Sequence, residues 1–599
     1  MRLPEIAVRR KTTFLMVFIL MAGLGGYGFS LLGLDFFPEM SLNRIMVLTV
    51  LPGAGPEEME TLISEPIEEA AALVSGVEHI ESNSSSSVSL VTAEFSWGTD
   101  LDQAEIDLRN ALTMAEGDMP EDAQEPMVIP MDPSISPVIV VSVGSDVLDD
   151  IELRKLVDDD INPMLTRIEG VASVVGYGGL ERQINVTAEP ALMERHGINI
   201  SEIAGALSVV RNNIPAGDMD SGGMHFVLNV ETAFHSISEI EGIVVGYHDG
   251  LPVHIGDVCT VTDGTEELTE TIMVDGERSI LIMVLKQTGA NTAEVCDNVH
   301  EGLLDVDEQY GSVVNTGVVY DQSRIIKGSV TNLAKTGVQA VIISIMVLVF
   351  FLGSWKTSGT VGLSIPLSVL LTFPIMAIFG VNLNMVSLAG LALSIGMLVD
   401  NSIVVLENIF RHRTELGSSP KKASVDGASE VGMAVTASTM TTLAVFIPIM
   451  FVPGVTGQLF RDLSLTISST LAVSLFVALT LIPLMTSRMH EIGSQRKKGK
   501  TAVSVEKFLN SLDRRYAGRL TRVLTRKKTV IGGAVGLFLL SLAVLQMIPS
   551  EFIPQLDNGM VQFVIYRSPG TELDSTDSTM VAVANEVAET LPPEVVDHI

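Results

Sequence analysis

The sequence predicts a membrane α-helical bundle of seven spans joined to a large α+β extracytoplasmic domain made of repeated βαβ units. Three observations predict it. Seven apolar runs are long enough to cross a bilayer. The basic residues cluster in alternate connections between those runs. The long region between the first and second runs repeats its own element order. The bulk composition agrees: of 599 residues, 47% are hydrophobic and 18% charged, with a mean hydropathy of +0.40. Such a chain is too apolar for an ordinary soluble protein and too charged to lie wholly in lipid.

A span needs about 20 apolar residues. The runs fall at 12–34, 337–352, 359–381, 385–409, 431–452, 463–485 and 529–548. The second is short and is expected to borrow residues before Gly337. The first follows Arg2, Arg9, Arg10 and Lys11, as a signal peptide would, but it is long and lacks a small-x-small cleavage pattern. An uncleaved anchor is expected.

Lys and Arg beside the spans set orientation. The N-terminus is basic. So are the connection holding Lys356, the one holding Arg411, Arg413, Lys421 and Lys422, and the stretch from Arg488 to Lys528. With seven spans these all fall on one side, the cytoplasm. The alternate connections carry almost no basic charge. The expected domains are therefore 1–35, first span; 36–335, outer domain; 336–487, spans two to six; 488–528, basic amphipathic cytoplasmic linker; 529–548, seventh span; and 549–599, a second outer domain beginning.

Within 36–335, Pro56-Glu57-Glu58 opens a helical pattern with acids at the positive end of the dipole. Pro66 must kink or split that helix, and Gly76 suits its C-cap. Strand-like runs at 77–82 and 88–95 follow, then a second helix after Thr99-Asp100. The order recurs about 95 residues on. There 151–168 reads helical, Gly170-Val171 matches Gly76-Val77, and VTAE at 186–189 matches VTAE at 91–94. Duplicated ferredoxin-like units are expected. A longer repeat links FFPE at 36–39 and Pro52-Gly53 to FIPQ at 552–555 and Pro569-Gly570. It suggests one complete copy of a tandem repeat followed by the start of a second, in the manner of transporters built from parallel halves.

Several function classes find no support. A net charge of −35 speaks against nucleic acid. No Gly-Lys-Ser/Thr phosphate loop suggests ATP as the energy source, so a transporter here must draw on an ion gradient. The ten His and the many acids form no metal or triad spacing, no cofactor motif stands out, and Cys259 and Cys296 read as two free thiols, with a pair as the alternative.

The feature that carries chemistry is Asp400, a few residues past the middle of the fourth span. An acid there costs about 2.5–3.5 kcal/mol on insertion scales, so it needs a partner or a function. Desolvation favours the neutral form of an acid and a nearby cation the charged form. An acid that alternates between two such surroundings takes up a proton on one side and releases it on the other. Glu407, two turns further on the same face, and Asn401 are secondary candidates. The competing reading is a polar stripe that holds helices together, which suits Asn401 and Asn408, and Glu407 near Arg411. No Lys or Arg falls within the spans as drawn, so a counter-charge is expected from a second set of spans.

These residues resemble the resistance–nodulation–division (RND) superfamily, most closely its hydrophobe/amphiphile multidrug branch. The resemblance rests on an ordered set: IAVRR at 6–10, PGAGPEE at 52–58, WGTD at 97–100, YDQS at 320–323, GMLVDNSIVVLEN at 396–408, and PGVTG at 453–457 with Arg461. It implies a homotrimer in the inner membrane whose outer region is a porter and docking domain. It also implies proton–drug antiport with Asp400 as the proton carrier, a periplasmic adaptor, and an outer-membrane channel. Small amphiphilic molecules are the implied substrates. Tyr177 falls about where such members place a pocket aromatic, although an ordinary strand residue is an equal reading. Multidrug members usually carry two adjacent acids, and here the second is Asn401, which cannot hold a proton. Heavy-metal members place another acid where this chain has Ser394, which argues against metal export despite 28 Met. The remaining alternatives are export of lipids or other endogenous hydrophobic compounds and, against the duplication and Asp400, a non-transporting receptor. The acidity of the outer domain reads first as a solvated face, with salt adaptation or cationic substrates as alternatives.

Overall fold

Hydropathy alone dictates the largest elements, and all seven form helices in the computed structural model. It describes residues 3–592 except 39, 41, 121, 132–135, 211–213, 222–223, 231–233, 269, 353–354, 490–499, 549–560 and 569. The FIPQ repeat at 552–555, Pro569, and the basic residues at 496–498 lie outside the described residues. In chain order the principal helices are α1 (Lys11–Leu31), α2 (Leu101–Ala115), α3 (Thr292–Tyr310), α4 (Gln322–Leu352), α5 (Trp355–Ile378), α6 (Met385–Thr414), α7 (Pro420–Ile449), α8 (Val455–Thr486), α9 (Lys500–Thr525) and α10 (Lys527–Leu545). Among the described residues, seven are long and apolar enough to cross a membrane: α1, α4 to α8 and α10. The second span does borrow residues, since α4 starts at Gln322, so the expected boundary at 335 falls inside a helix.

The chain forms two compact units. The first comprises Met1–Ser136, Lys286–Asp297 and Gln322–Phe563; the second comprises Pro137–Leu285, Asn298–Asp321 and Val564–Ile599.

In the first unit, strands β1 (Arg44–Val50), β2 (Val77–Ser85), β3 (Val88–Phe95) and β4 (Met127–Pro130) make a sheet of order β2-β3-β1-β4. β1 runs antiparallel to β3, with Val47 opposite Val91, and antiparallel to β4, with Val47 opposite Val128. β1 and β3 bury every second residue, as a half-covered strand must. Ile45, Val47, Val91, Ala93 and Phe95 pack against Ile63, Ile67, Leu108 and Leu112. Each of these buried side chains larger than Ala93 contributes about 1.5–3 kcal/mol. Asp100 caps α2 by accepting from the Gln103 backbone N–H (3.3 Å).

Pro66 neither breaks nor sharply ends its helix. The preceding turn, Glu60–Ser64, widens to a π-helix in which the Glu65 N–H reaches back to the Glu60 carbonyl. The wider turn accommodates the proline ring and its missing donor. Gly76 is not the cap itself, which is Leu73 in ordinary helical geometry; Gly76 turns the chain into β2 with φ +92°.

The membrane helices of the first unit pack most tightly where glycine removes the side chain. Gly25 and Gly28 of α1 lie against the backbone of Leu370 and Pro374 on α5. Gly427 of α7 lies against Ile409 and Asn408 of α6, and Gly390 of α6 against Leu463 of α8. This is the small-residue route to close helix contact in lipid. α8 is the most enclosed span. Beyond the helix ends, Leu34 and Leu383 form an isolated parallel bridge, so the segment after α1 runs beside the segment before α6.

In the second unit, β5 (Ile139–Gly144), β6 (Val171–Tyr177), β9 (Ile280–Lys286) and β10 (Asn315–Asp321) form a sheet of order β10-β5-β9-β6. The helical segment between β5 and β6 again passes through a π-turn, Val157–Ile161, just before Pro163. Gly170 takes φ +87°, close to Gly76. The expected VTAE match fails. Residues 186–189 lie at the end of β7 (Arg182–Ala188), which pairs with β8 (Cys259–Thr265) in a separate two-stranded sheet. By position the counterpart of β3 is β9, reached only after the insert of residues 178–279. On the β7–β8 ribbon, Arg182 grips Asp263 through two bonds (2.8 and 2.6 Å), and that guanidinium holds the Asp263 carboxyl below the usual carboxylate range. Cys259 and Cys296 are buried and not joined in a disulfide, and burial pushes the Cys259 thiol up.

Candidate functional site

The Asp400 helix is fixed at both ends by its own sequence. At the N-terminus of α6, Asn384 accepts from the backbone N–H groups of Val386 (3.1 Å) and Ser387 (2.8 Å), while Ser387 Oγ accepts from the Asn384 N–H (2.9 Å). This reciprocal cap satisfies donors that lipid could not. Asn384 Nδ2 also donates to Asp462 Oδ2 on α8 (2.7 Å). At the other end Arg411, His412 and Arg413 lie in the last turn, where cations complement the helix dipole.

Between these ends the helix has two faces. Leu391, Ser394, Leu398, Asn401, Ser402, Val405 and Asn408 are buried. On that side Ser402 Oγ meets Ser364 Oγ of α5 (3.0 Å), and Ser474 Oγ of α8 donates to the Leu398 carbonyl (3.4 Å). The hydroxyls of Ser464, Thr466 and Ser468 on α8 are buried without a partner among the described residues. The other face carries Leu393, Asp400, Val404 and Glu407, all exposed and spaced three, four or seven apart. Neither Asp400 nor Glu407 has a hydrogen bond or ion pair among the described residues.

The secondary candidates divide. Asn408 does bind helices together, donating to the Gly427 carbonyl (2.8 Å) and to Glu430 (3.3 Å) on α7. Asn401 is buried at 9% exposure, with no hydrogen bond among the described residues. Arg411, expected near Glu407, pairs instead with Glu430 (2.8 Å), which His412 also contacts (2.6 Å). Sequence reasoning misses Glu430 because the fifth apolar run begins at 431; α7 in fact starts at Pro420 and carries Glu430 on its polar first turns. The available signal is Asn408, whose polar stripe calls for a partner on a neighbouring helix.

Tyr177 belongs to the second unit. It ends β6 and is 41% exposed, followed by Gly178 and Gly179, both at positive φ. A cavity beside that turn, bordered by Asp150, Gly179, Glu270 and Arg278, has room for little more than a water molecule (about 20 Å³). Arg278 there is already engaged by Asp150 (3.0 Å).

The arrangement places two carboxyl groups, Asp400 near the middle and Glu407 toward the end, on the exposed face of a capped apolar helix without a partner among the described residues, within a seven-span unit that also holds an α/β sheet. The family model described as the AcrB/AcrD/AcrF family matches residues 3–597. The chain thus belongs to the AcrB/AcrD/AcrF family, the hydrophobe/amphiphile branch of the RND efflux transporters.

Proposed function

We propose that the protein is a proton-driven exporter of hydrophobic or amphiphilic small molecules, with Asp400 as its proton carrier. The observation that carries this reading is the isolation of Asp400: a carboxyl group in the middle of a 30-residue apolar helix, without a partner among the described residues. Holding a bare carboxylate in lipid is costly, whereas a proton neutralises it. In this reading further helices cover the exposed face and bring a Lys or Arg to Asp400, and proton release follows when that cation approaches. Glu407, on the same stripe, stands where a proton would pass toward the basic, cytoplasmic end of α6.

The matching element order of the two sheets, β-α-β-β-α-β in each, and their matching strand orders support reading them as ferredoxin-like porter units. In the second unit the insert of residues 178–279 interrupts the pattern. The N-terminus is then cytoplasmic, the α/β region periplasmic, and the assembly a homotrimer working with an adaptor and an outer-membrane channel. Tyr177, exposed at a strand end, is the candidate pocket aromatic.

Asp400→Asn in the protein reconstituted into liposomes tests this. Efflux of an amphiphilic dye under an imposed pH gradient is expected to fall about a hundredfold, the range of a lost acid–base group. Undiminished efflux at normal insertion would refute the assignment.

A further inference from the structure

A second carboxyl group of the first unit, Asp35, is buried and fully engaged, and the proton-carrier reading makes no use of it. Asp35 is 7% exposed and lies just beyond the end of α1. Its Oδ1 accepts from Lys286 Nζ (2.9 Å), from Thr292 Oγ1 (2.8 Å) and from the Thr292 N–H (3.4 Å). Its Oδ2 accepts from Asn382 Nδ2 (3.0 Å). Lys286 is equally enclosed and donates a second bond to the Ala290 carbonyl (2.7 Å).

Four donors from two chain stretches, Lys286 to Thr292 and the one holding Asn382, thus meet on one carboxylate. Asn382 belongs to the connection that leads into the cap of α6, the Asp400 helix. Lys286 ends β9, and Thr292 begins α3. Backbone bonds reinforce the junction: the Asp35 N–H donates to Leu383, the Leu383 N–H to Gly33, the Met385 N–H to Phe36, and the Ala293 N–H to Leu34. Lys327 on α4 pairs with Asp297 near the start of α3.

The position in the chain gives this junction its meaning. Lys286–Asp297 is the stretch that the first unit holds between two stretches of the second. Asp35 therefore grips the segment through which the chain leaves one unit and returns to it. A buried, fully satisfied polar network has one low-energy arrangement, so its members move together or break bonds that nothing replaces.

We propose that Asp35 is the positioning residue that links the Asp400 helix to the α/β region. When a proton on Asp400 shifts α6, the segment before its cap carries Asn382, Asp35 follows, and the displacement reaches the end of β9 through Lys286 and the start of α3 through Thr292. This role rests on the proton-carrier reading of Asp400.

Two substitutions each cut one arm and leave the Lys286–Asp35 pair: Asn382→Ala on the α6 side and Thr292→Val on the α3 side. Thr292→Ser keeps the hydroxyl and serves as the control. In liposomes holding the purified protein, pH-driven ethidium efflux is measured beside carbodiimide labelling of protonated Asp400, read by mass spectrometry. Both cuts are expected to slow efflux about tenfold, the worth of one hydrogen bond to a charged group. Asp400 labelling stays at the wild-type level, the thermal midpoint falls by no more than a few degrees, and Thr292→Ser stays within about twofold of wild-type efflux. The role is overturned if both cuts keep wild-type efflux in a protein that Asp400→Asn silences. It is overturned as well if efflux falls only in step with folded protein, and equally in Thr292→Ser. Full efflux in Asp400→Asn would instead remove the proton-carrier reading, and the coupling role with it.

Discussion

Asp400 and Asn401 are adjacent on α6, about 100° apart around the helix, and that turn separates their surroundings: Asp400 is exposed on the described bundle, and Asn401 is buried against it. A second proton site at 401 would therefore sit inside the bundle rather than beside Asp400 on its outer stripe.

It follows that Asn401→Ala, which removes an amide with no hydrogen bond among the described residues, leaves pH-driven efflux within about threefold of wild type, less than one ordinary hydrogen bond. Efflux measured beside Asp400→Asn decides this. Equal loss in both variants would mean that proton traffic is not confined to Asp400.

The α6–α7 contact depends more on closeness than on the bond across it. A Cβ on Gly427 would stand 2.9 Å from Ile409 Cα and 3.1 Å from the Asn408 carbonyl oxygen, both backbone atoms that cannot rotate away. Gly427→Leu is expected to destabilise by about 1–3 kcal/mol. Asn408→Ala, which loses the two hydrogen bonds to Gly427 and Glu430 but opens no clash, should cost about 1 kcal/mol. Thermal unfolding in detergent ranks the two, and the opposite order would refute the packing account.

The PGVTG loop has a physical reason for both glycines. Gly454 caps α8 at φ +98°, beside the Trp97 indole, and a Cβ on Gly457 would run into the carbonyl oxygen of Val452. Gly457→Ala should therefore lower stability by about 2 kcal/mol or more. The exposed Thr456 next to it meets no such constraint, and Thr456→Ser should leave the thermal midpoint unchanged. A midpoint that falls equally in both variants would sink the steric explanation.

On the β7–β8 ribbon, Asp263 carries a depressed pKa because Arg182 hydrogen-bonds its charged form. A carboxyl group so depressed stabilises the fold above its unfolded value, about 3.9, and loses that contribution as pH falls through the lower folded value. The difference in midpoint between wild type and Asp263→Asn should be small and constant at neutral pH, because the pair is exposed, and should shrink below about pH 4. A difference that grows on acidification would reverse the sign of the argument.

Much of the fold is legible in the sequence. Apolar length marks the seven spans, and Asp400 stands out because an acid is costly in such a run. The start of α4 is hidden because the stretch from Gln322 to Thr336 is polar enough to read as part of the outer domain. The first sheet can be read from neighbours in sequence, since β1 to β4 follow one another. The second cannot, because the insert parts β6 from β9, and the VTAE match points to β7, which lies in a different sheet. Asp35 and Lys286 are invisible because their pairing spans 251 residues, and local pattern carries no trace of so distant a contact.

The bridge between Leu34 and Leu383 also has a practical side. Surface connections between helices are the usual places to add residues or attach a label. The connection before α6 is unsuited to either, since its backbone donors and acceptors are already matched with those after α1. One inserted residue would put every pairing out of step. The turn between α6 and α7, around Gly417 and Ser418, is exposed or half-exposed and is the better place for a reporter.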